Sequence, residues 1–571
     1  MKLIGEYIQK HLGIFLLSMF FLTMEAAADL LQPTFMSFIV DRGIRNADTG
    51  QILLYGVMML GIAMGGAVCA VMRSRFASRV SQTVGKELRR DLYHKVQQLS
   101  MENIDRLRPA SVITRITNDV VQIQDFINGI MRIMVKAPIT CTGAILLILI
   151  QTPAQAPVMA VIILMVAFLV VGNMKTGYPR FGAVQEKLDR LNGTAGEFLS
   201  SVRVVKAFGA EETEAGKFGE ASGGLALANT AALRTMAVFS PLINLTVNFG
   251  IVLLLWISGS RQGTEIGRLM ASVNYMTQVL FAAGMISNAL NTAVRAAASA
   301  GRIKEVLDEE PAQRLPEHPL RPEITGDIRF AHVSFAYAGA GKEALHDIDI
   351  RIRQGETVGI IGATGSGKTT LVNLVPRFYD AVEGTVWIDG CDVTQMDTEY
   401  LRGAIAVVPQ KALLFSGTIR ENLRWGRADA GEEELRAAAE AACADGFIRQ
   451  TGQGYDTLLG QGGVNLSGGQ KQRISLARAL VRKPRILILD DCTSALDART
   501  EAGVLKGLRK MGGGMTMLLV SQRISTVMRA DRILCMDDGR VQGYGTHGEL
   551  MASCNTYREI YQSQIGGGGH G

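Results

Sequence analysis

Charged residues are scarce in this sequence: Asp, Glu, Lys and Arg together make up 20% of its 571 residues. Hydrophobic residues make up 48%, and the mean hydropathy of +0.18 lies above the usual soluble range. This composition excludes a disordered chain and a collagen-like fibre. The formal net charge is only +6. It gives no argument for a nucleic-acid partner, because a membrane protein with basic cytoplasmic loops shows the same excess.

Cysteine is also infrequent. The seven cysteines are odd in number, are scattered along the chain and show no CxxC spacing. This pattern argues against a disulfide framework and against a zinc site. We therefore expect free thiols in a reducing compartment.

The composition changes near residue 310, where four prolines fall within a short segment. Long apolar runs precede this segment, and an ordinary soluble pattern rich in glycine motifs follows it. Because a proline cluster ends helices, we expect a linker here. The predicted parts are a membrane domain over 1–308, a linker over 309–325, a soluble domain over 326–565 and a disordered tail over 566–571.

Six segments of the first part are apolar and long enough to cross a membrane as helices, which takes about 20 residues each. The predicted fold class is therefore an α-helical membrane domain with six transmembrane helices, followed by an α/β domain. The predicted spans lie at roughly 14–38, 53–73, 129–151, 156–174, 237–259 and 269–290.

Basic residues predict the orientation of these spans. The segments 73–128 and 175–235 are rich in Lys and Arg, whereas the loop 151–157 has none. Both long segments and both termini are therefore expected in the cytoplasm, at the inner or plasma membrane of a bacterial cell. The long segments show helical periodicity, so we expect helices that continue beyond the bilayer. Each is predicted to turn back through a short stretch, near 110–118 and near 199–210.

A phosphate-binding motif lies in the soluble part. The segment GATGSGKT matches GxxxxGK[ST], follows a strand-like run and precedes a helical run. Its glycines let backbone N–H groups wrap around phosphates, and the helix N-terminus adds a favourable dipole. Lys368 is expected to reach the β- and γ-phosphates, and Thr369 to bind Mg²⁺. The predicted nucleotide-binding residues of this motif are Gly362, Thr364, Gly365, Ser366, Gly367, Lys368, Thr369 and Thr370.

A second motif is the apolar run that ends in Asp490, which predicts a buried strand with a carboxylate at its end. An acid at this place suits Mg²⁺ held beside a nucleotide. The two motifs together predict a P-loop ATPase that uses ATP and Mg²⁺.

Between these motifs lies the sequence LSGGQ. Beside a P-loop it is highly specific, and on it the chain resembles the ATP-binding cassette (ABC) exporters, with six membrane helices fused to one cassette. Three further segments are similar to that family: VSFAY with Tyr337, VVPQ with Gln410 and the D-loop SALD with Asp497. The resemblance covers essentially the whole chain. The signature residues are Leu466, Ser467, Gly468, Gly469 and Gln470.

The resemblance implies that two cassettes dimerise head to tail, with each nucleotide between the P-loop of one and the signature of the other. The signature is at a predicted helix N-terminus, where unpaired donors and the dipole attract a γ-phosphate. The resemblance also implies that Tyr337 stacks on adenine, although Tyr337 alone could be an ordinary strand aromatic. It implies Mg²⁺ ligation by Thr369, Gln410 and Asp490. The expected partners are a second half-transporter, membrane lipid and a small amphipathic cargo.

Two positions depart from the family pattern. Where the family has Glu directly after the strand-end Asp, this chain has Asp491, whose carboxylate is pulled back by about 1.5 Å. Where the family has a switch His, this chain has Gln522, which cannot titrate near pH 7. Each change alone could be neutral drift.

With the P-loop and signature intact, both changes together resemble the degenerate half of a heterodimeric exporter. Asp491 and Gln522 would belong to a site that binds ATP but hydrolyses it poorly. The intact signature would complete the competent site of a non-identical partner. Two other functions stay open: a slow homodimeric exporter, and a nucleotide-gated channel or regulator that does not pump.

Glu25 and Asp29 are four residues apart and share one face of the first predicted span. Acidic groups at this depth normally face a cavity or a partner. They either line the pathway and favour cationic amphipathic cargo, or pair with Arg132 or Lys136 or hydrogen-bond within the helix bundle. We favour the second interpretation. A rough polar stripe on the sixth span, facing either the pathway or other helices, consists of Asn274, Gln278, Asn288 and Asn291.

Overall fold

The computed structural model of the chain describes residues 1–153, 156–259, 265–511 and 513–565. The predicted tail, 566–571, and the side chains of Asn288 and Asn291 lie outside the described residues. The chain forms two compact units. The first comprises residues 1–97 and 110–308, and the second comprises residues 98–109 and 309–571.

Helices make up almost all of the described residues before the linker. Three π-helical segments, Ile39–Ile44, Arg115–Asp119 and Ile130–Met134, continue these helices. The helices are α1 (Lys2–Gln9), α2 (Leu12–Phe38), α3 (Thr49–Gln98), α4 (Met101–Leu107), α5 (Pro109–Thr114), α6 (Val120–Gly129), α7 (Lys136–Gln151), α8 (Ala156–Ser200), α9 (Val202–Phe208), α10 (Glu211–Gly259) and α11 (Ile266–Asp308).

Five helical stretches of the described residues are long and apolar enough to cross a membrane, and they overlap the first five predicted spans. The sixth predicted span, 269–290, lies in α11. The five stretches are Leu12–Ile44, Thr49–Gln98, Pro109–Gln151, Ala160–Ser200 and Glu211–Ile257.

The longest helices exceed the thickness of a membrane. With 50 residues, α3 is about 75 Å long, more than twice the hydrocarbon core of a bilayer. The first turn lies between the end of α3 at Gln98 and the start of α5 at Pro109 and includes α4. The predicted turn, 110–118, is instead helical. Ser100 and Asn103 form a capping box that starts α4, and Arg108 leaves it with a positive φ of 59°. The second turn is α9, which ends at Gly209 with a φ of 61°.

The described residues of the second unit form three sheets. A six-stranded sheet has the order β12-β11-β3-β10-β9-β6, a four-stranded sheet the order β2-β1-β4-β5, and β7 pairs with β8. The strands are β1 (Ile328–Phe335), β2 (Leu345–Ile352), β3 (Thr357–Gly362), β4 (Glu383–Ile388), β5 (Cys391–Asp392), β6 (Ile405–Val408), β7 (Gly417–Thr418), β8 (Leu458–Leu459), β9 (Ile486–Asp490), β10 (Thr516–Val520), β11 (Arg532–Asp537) and β12 (Arg540–Gly545).

Within the larger sheet, β6, β9, β10, β3 and β11 run parallel. Parallel strands are buried on both faces, and β9 and β10 are accordingly apolar and buried throughout. The carboxyl ends of β3 and β9 therefore lie at one edge of the sheet. This edge is where a ligand binds in open α/β sheets.

Helices cover this sheet and form a further subdomain around α14 to α17, whose apolar core is continuous with one face of the sheet. The helices of this unit after the linker are α12 (Lys368–Leu374), α13 (Thr398–Ala404), α14 (Ile419–Arg424), α15 (Glu432–Ala441), α16 (Asp445–Gln450), α17 (Gly468–Val481), α18 (Ala498–Met511), α19 (Ile524–Val527), α20 (His547–Ser553) and α21 (Asn555–Ile565).

Asp389 fixes the path of the chain just before β1. Its carboxylate accepts hydrogen bonds from the backbone N–H groups of Thr325 (2.8 Å), Gly326 (3.0 Å) and Asp327 (3.1 Å). The Thr325 hydroxyl adds a fourth bond at 2.5 Å. A carboxylate with several donors holds this segment in one conformation.

Candidate functional site

A glycine-rich loop joins β3 to α12, and close backbone contacts require two of its glycines. A Cβ atom at Gly362 would lie 2.1 Å from the carbonyl oxygen of Met536. Gly367 has a φ of +90°, and a Cβ there would lie 2.7 Å from the carbonyl oxygen of Ala344. No side chain fits at either place. The loop therefore wraps tightly around the N-terminus of α12, where N–H groups and the dipole favour phosphate oxygens.

Lys368 is the first residue of α12, and its side chain lies inside this loop. Its Nζ donates hydrogen bonds to the carbonyl oxygens of Gly362 (2.9 Å) and Ala363 (2.6 Å). A third bond goes to the Ser366 hydroxyl at 3.1 Å. Burial lowers the pKa of Lys368, and the two carboxylates at the end of β9 oppose this shift. The ammonium is thus placed to meet phosphate oxygens that enter the loop.

The carboxylate of Asp490 ends β9 and faces the hydroxyl of Thr369, which donates a hydrogen bond to Oδ1 at 3.0 Å. Burial raises the pKa of Asp490, and the charge of Asp491 adds to this shift. The Thr369 hydrogen bond and the charge of Lys368 oppose it. Together with the Gln410 amide in the same cavity, this hydroxyl and carboxylate form an oxygen-donor set. Such a set fits Mg²⁺.

Asp491 follows in a left-handed backbone conformation with a φ of +45°. Its N–H donates to the carbonyl oxygen of Val520 at 3.0 Å, and its Oδ2 accepts a hydrogen bond from Gln410 Nε2 at 3.3 Å. Burial raises the pKa of Asp491, whereas hydrogen bonds from Gln410 and the Gln522 backbone oppose the rise. The carboxylate is therefore buried and hydrogen-bonded to the Gln410 amide.

These side chains line one cavity of about 310 Å³. Tyr337 gives it an aromatic wall, with its hydroxyl 3.1 Å from that of Thr370. Two further lining residues, Ala344 and Val520, carry no motif and were not predicted. The predicted residues in its lining are Tyr337, Thr364, Gly365, Gly367, Lys368, Thr369, Thr370, Gln410, Asp490, Asp491 and Gln522.

The signature, 466–470, lies outside the described lining of this cavity. Ser467 caps α17: its hydroxyl accepts from the Gln470 N–H (3.4 Å), and its own N–H donates to Gln470 Oε1 (2.9 Å). Leu466 packs against the apolar core of the subdomain. Ser467 and Gly468 are exposed. The N-terminus of this helix is therefore accessible to a second molecule.

The D-loop lies beside the signature. A Cβ at Gly469 would approach the carbonyl oxygen of Ala495 to 3.1 Å. Asp497 caps α18 by accepting hydrogen bonds from the N–H groups of Arg499 (3.1 Å) and Thr500 (2.9 Å). Asp497 thus fixes the end of the D-loop at the start of α18.

In the first unit, Glu25 and Asp29 of α2 meet two basic side chains. Arg73 Nε donates to Glu25 Oε2 at 2.6 Å, and Lys136 Nζ donates to Oε1 at 2.6 Å. Lys136 also pairs with Asp29 at 2.8 Å. Lys136 is one of the two partners that the sequence suggested, and Arg73 was not foreseen. Two acids and two bases make this cluster neutral.

The two described members of the polar stripe differ. Gln278 Nε2 donates to the backbone oxygen of Asp29 at 3.3 Å, which joins α11 to α2. Asn274 is exposed, and its amide donates to the Met270 carbonyl of its own helix at 3.3 Å.

Both parts of the chain match known families. Residues 15–283 match the ABC transporter transmembrane region, and residues 345–494 match the ABC transporter family. An uncharacterized ABC transporter ATP-binding protein of Bacillus subtilis, YfiB, is 38% identical over 546 residues, which are 95% of this chain and 95% of that protein. The chain belongs to the ABC transporter family.

Other relatives of this ABC transporter have more specific names. A multidrug efflux ATP-binding/permease protein of Mycobacterium tuberculosis is 32% identical over 565 residues, 98% of this chain and 47% of that protein. A mitochondrial potassium channel ATP-binding subunit of Xenopus tropicalis is 33% identical over 494 residues, 85% of this chain and 72% of that protein.

A solved structure of a bacterial Atm1-family ABC exporter with ATP bound has the same fold, with a TM-score of 0.80. It is 24% identical and covers 98% of this chain and 99% of its own. The predicted fold class, a helical membrane domain with an α/β nucleotide-binding domain, is confirmed. The ABC transporter domain also implies a multi-pass membrane protein whose transport is coupled to an ATPase.

Proposed function

We propose that this chain is the degenerate subunit of a heterodimeric ABC exporter and hydrolyses ATP poorly at its own P-loop. The environment of Asp491 carries the proposal. Its short carboxylate is buried and hydrogen-bonded to the Gln410 amide. A general base must reach the attacking water, and a displacement of about 1 Å can slow a reaction on the order of 10²-fold.

The second substitution acts in the same direction. The amide of Gln522 can donate a hydrogen bond to a phosphate, but it does not change its charge near pH 7 as an imidazole does. The residues for binding are complete by contrast: Lys368 lies inside the loop, and Thr369 faces Asp490. The site therefore keeps binding and loses most of its hydrolysis.

At this site the chain's own residues would bind and orient ATP. The loop N–H groups and Lys368 neutralise phosphate charge, and Tyr337 stacks on the base. When Mg²⁺ is bound by Thr369, Gln410 and Asp490, it adds charge neutralisation at the phosphates. Asp491 contributes weak activation of water.

The exposure of the signature supports a role in completing the nucleotide site of a second molecule. Ser467 and the N–H groups at the start of α17 lie outside the lining of the chain's own cavity. In a head-to-tail pair they would meet phosphates on the partner's P-loop. There the partner supplies the Glu and His that this chain lacks, and hydrolysis occurs once per dimer.

The cargo that we propose is hydrophobic or amphipathic, exported by alternating access across a bacterial inner or plasma membrane with both termini in the cytoplasm. The name of the Mycobacterium tuberculosis relative, a multidrug efflux protein, supports this class. The pairing of Glu25 and Asp29 with Arg73 and Lys136 argues against a free acidic site that selects cations.

Purification of the chain from its native cell tests the proposal. We expect a complex with a non-identical half-transporter, and little ATPase activity from the chain alone. In the complex, Ser467→Arg should lower ATPase activity at least about ten-fold, because it blocks the partner's competent site. Asp491→Asn should lower it less than about two-fold.

Ser563→Arg, on an exposed position of α21, is the matched control and should leave the rate unchanged. A chain that is fully active alone would support a slow homodimeric exporter instead. Reversed effects of the Ser467 and Asp491 variants would contradict the assignment of the two sites.

A second candidate is an ATP-gated channel or regulator that does not pump. The observation in its favour is the name of the Xenopus tropicalis relative, a potassium channel ATP-binding subunit. Reconstitution in vesicles separates the two functions. An exporter accumulates cargo against a gradient with ATP, whereas a channel only lets the ion gradient collapse.

A further inference from the structure

Tyr379 contacts both the wall of the nucleotide cavity and α4, the short helix between α3 and α5. Its ring packs edge-on against that of Tyr337, with centroids 5.3 Å apart and planes at 84°. Its hydroxyl donates a hydrogen bond to Asp105 Oδ2 at 2.7 Å, and Asp105 belongs to α4. One side chain therefore joins the base-stacking aromatic to this helix.

On the cavity side, Tyr337 is held at two points. Its hydroxyl is 3.1 Å from that of Thr370 in α12, and its ring meets Phe335 with centroids 4.9 Å apart. Phe335 also packs on Tyr379 at 5.5 Å. The three rings form one aromatic cluster, so a base that stacks on Tyr337 restrains Tyr379 as well.

Tyr379 stands on a loop that has little freedom. The neighbouring Arg377 is buried and has a left-handed φ of +52°. Its guanidinium pairs with Asp380 and donates hydrogen bonds to the backbone oxygens of Thr394 and Arg314. Such a conformation is unfavourable for Arg and persists because these contacts fix it. The loop that carries the Tyr379 ring is therefore rigid.

On the other side, α4 is tied to the start of the linker. The buried Asn103 donates hydrogen bonds to Glu309 Oε1 (2.5 Å) and to the Glu310 carbonyl oxygen (2.9 Å). Its Oδ1 accepts the Ala312 N–H at 2.9 Å, and Arg106 forms an ion pair with Glu309. Restraint of α4 thus restrains residues 309–312 as well.

The hydroxyl of Tyr379 stays a donor in this arrangement. Burial raises its pKa, and the hydrogen bond and charge of Asp105 raise it further. Tyr379 is therefore protonated at physiological pH, and Asp105 accepts.

We propose that Tyr379 is a positioning residue that transmits stacking of adenine on Tyr337 to α4 and the linker. This inference rests on the proposed binding of ATP, and deepens it by assigning a path by which the adenine base, rather than the phosphates, affects α4. Adenine orders the aromatic cluster, and the Tyr379 hydroxyl then holds Asp105 more tightly. As a result α4 becomes more ordered, and hydrogen exchange measures that order directly.

The experiment is hydrogen–deuterium exchange on the full chain in the complex in which it purifies. The two probes are a non-hydrolysable ATP analogue and inorganic tripolyphosphate, which lacks the base. We expect the analogue to slow exchange of the amides of α4 by about five-fold, the scale of one partly exposed hydrogen bond to a carboxylate. Tripolyphosphate should protect the loop 362–370 but not α4.

Tyr379→Phe keeps the ring and removes only the hydroxyl. It should leave nucleotide affinity within about two-fold and the protection of 362–370 intact, while protection of α4 falls below about two-fold. Asp105→Ala should give the same loss, and the double variant no more than either single one. Asp105→Asn should restore protection, because its amide oxygen still accepts. Tyr400→Phe, on α13, is the matched control and should behave as wild type.

Two results would overturn the inference. One is protection of α4 that persists in Tyr379→Phe, and the other is equal protection of α4 by tripolyphosphate and by the analogue. Failure of the analogue to protect 362–370 in the unmodified chain would instead refute the proposed ATP binding. The two failures are therefore distinguishable.

Discussion

Replacing Asp491 with Glu tests what limits hydrolysis at this chain's own site. Oδ2 of Asp491 is 3.3 Å from Gln410 Nε2, so the short side chain reaches that amide. One further methylene extends the carboxylate by about 1.5 Å into the cavity. Because a misplacement of about 1 Å can cost on the order of 10²-fold, we expect hydrolysis to rise by about 10- to 100-fold. That gain corresponds to about 1.4 to 2.7 kcal/mol of transition-state stabilisation.

The assay must separate this site from the partner's. In the proposed heterodimer, Ser467→Arg in this chain should silence the site that its signature completes, so the residual ATPase activity of the complex would belong to the site of Asp491. The measurement compares Ser467→Arg alone with Ser467→Arg/Asp491→Glu. Asp491→Asn in the same background is the control, and it should lower the residual rate. Adding Gln522→His should raise the rate further.

Asp491 has a left-handed φ of +45°, which Asp tolerates better than Glu. A small loss of stability in the Glu variant is therefore expected and is measured separately by thermal unfolding. If the residual rate of the double variant equals that of Ser467→Arg alone, the length of the carboxylate is not the limit. The interpretation of this site as degenerate through Asp491 would then be refuted.

Two further predictions concern stability. Glu25→Gln should destabilise the membrane domain by about 3 kcal/mol, because Arg73 and Lys136 lose the carboxylate that they share. Thermal unfolding in detergent measures this loss, which should be smaller for Asp29→Asn because Asp29 is partly exposed. Asp389→Asn should cost about 1 kcal/mol after allowance for its partial exposure, as measured by chemical denaturation at pH 7. Burial acts to raise the pKa of Asp389, but the hydrogen bonds that it accepts outweigh burial and lower the pKa. The contribution of Asp389 to folding stability is therefore complete above the unfolded pKa of about 4 and is lost as pH falls through the folded pKa. The stabilities of the variant and the wild type should therefore converge in acid.

Much of the fold was predictable because its signals are local. Apolar runs predicted the membrane helices, and a glycine-rich loop between strand and helix predicted the phosphate site. The first of the two predicted turns was placed about ten residues too late. The local signals for α4 were nevertheless present: Ser100 and Asn103 have capping-box spacing, and Pro109 suits the first turn of α5.

The contacts that the sequence did not reveal depend on distant parts of the chain. Arg73 and Glu25 are 48 residues apart on different helices, and their meeting depends on the relative depth of α2 and α3. Tyr379 and Asp105 are 274 residues apart. Motifs identify side chains that meet a ligand, whereas these contacts arise from packing, for which a single sequence carries no periodic or spacing signal.

Binding and hydrolysis are separable in this cavity, and that separation bears on the aromatic cluster. In the proposed mechanism, the substitutions at Asp491 and Gln522 affect the attack on the γ-phosphate, whereas Tyr337 and Tyr379 respond to the adenine base. A site that retains ATP while the partner turns over would keep α4 ordered through many cycles. We therefore expect the protection of α4 from hydrogen exchange to last longer than one turnover of the complex. The Asp491→Glu variant should shorten the lifetime of this protection. Time-resolved exchange after removal of free ATP measures that lifetime, and equal lifetimes in the two proteins would contradict this link between slow hydrolysis and persistent order.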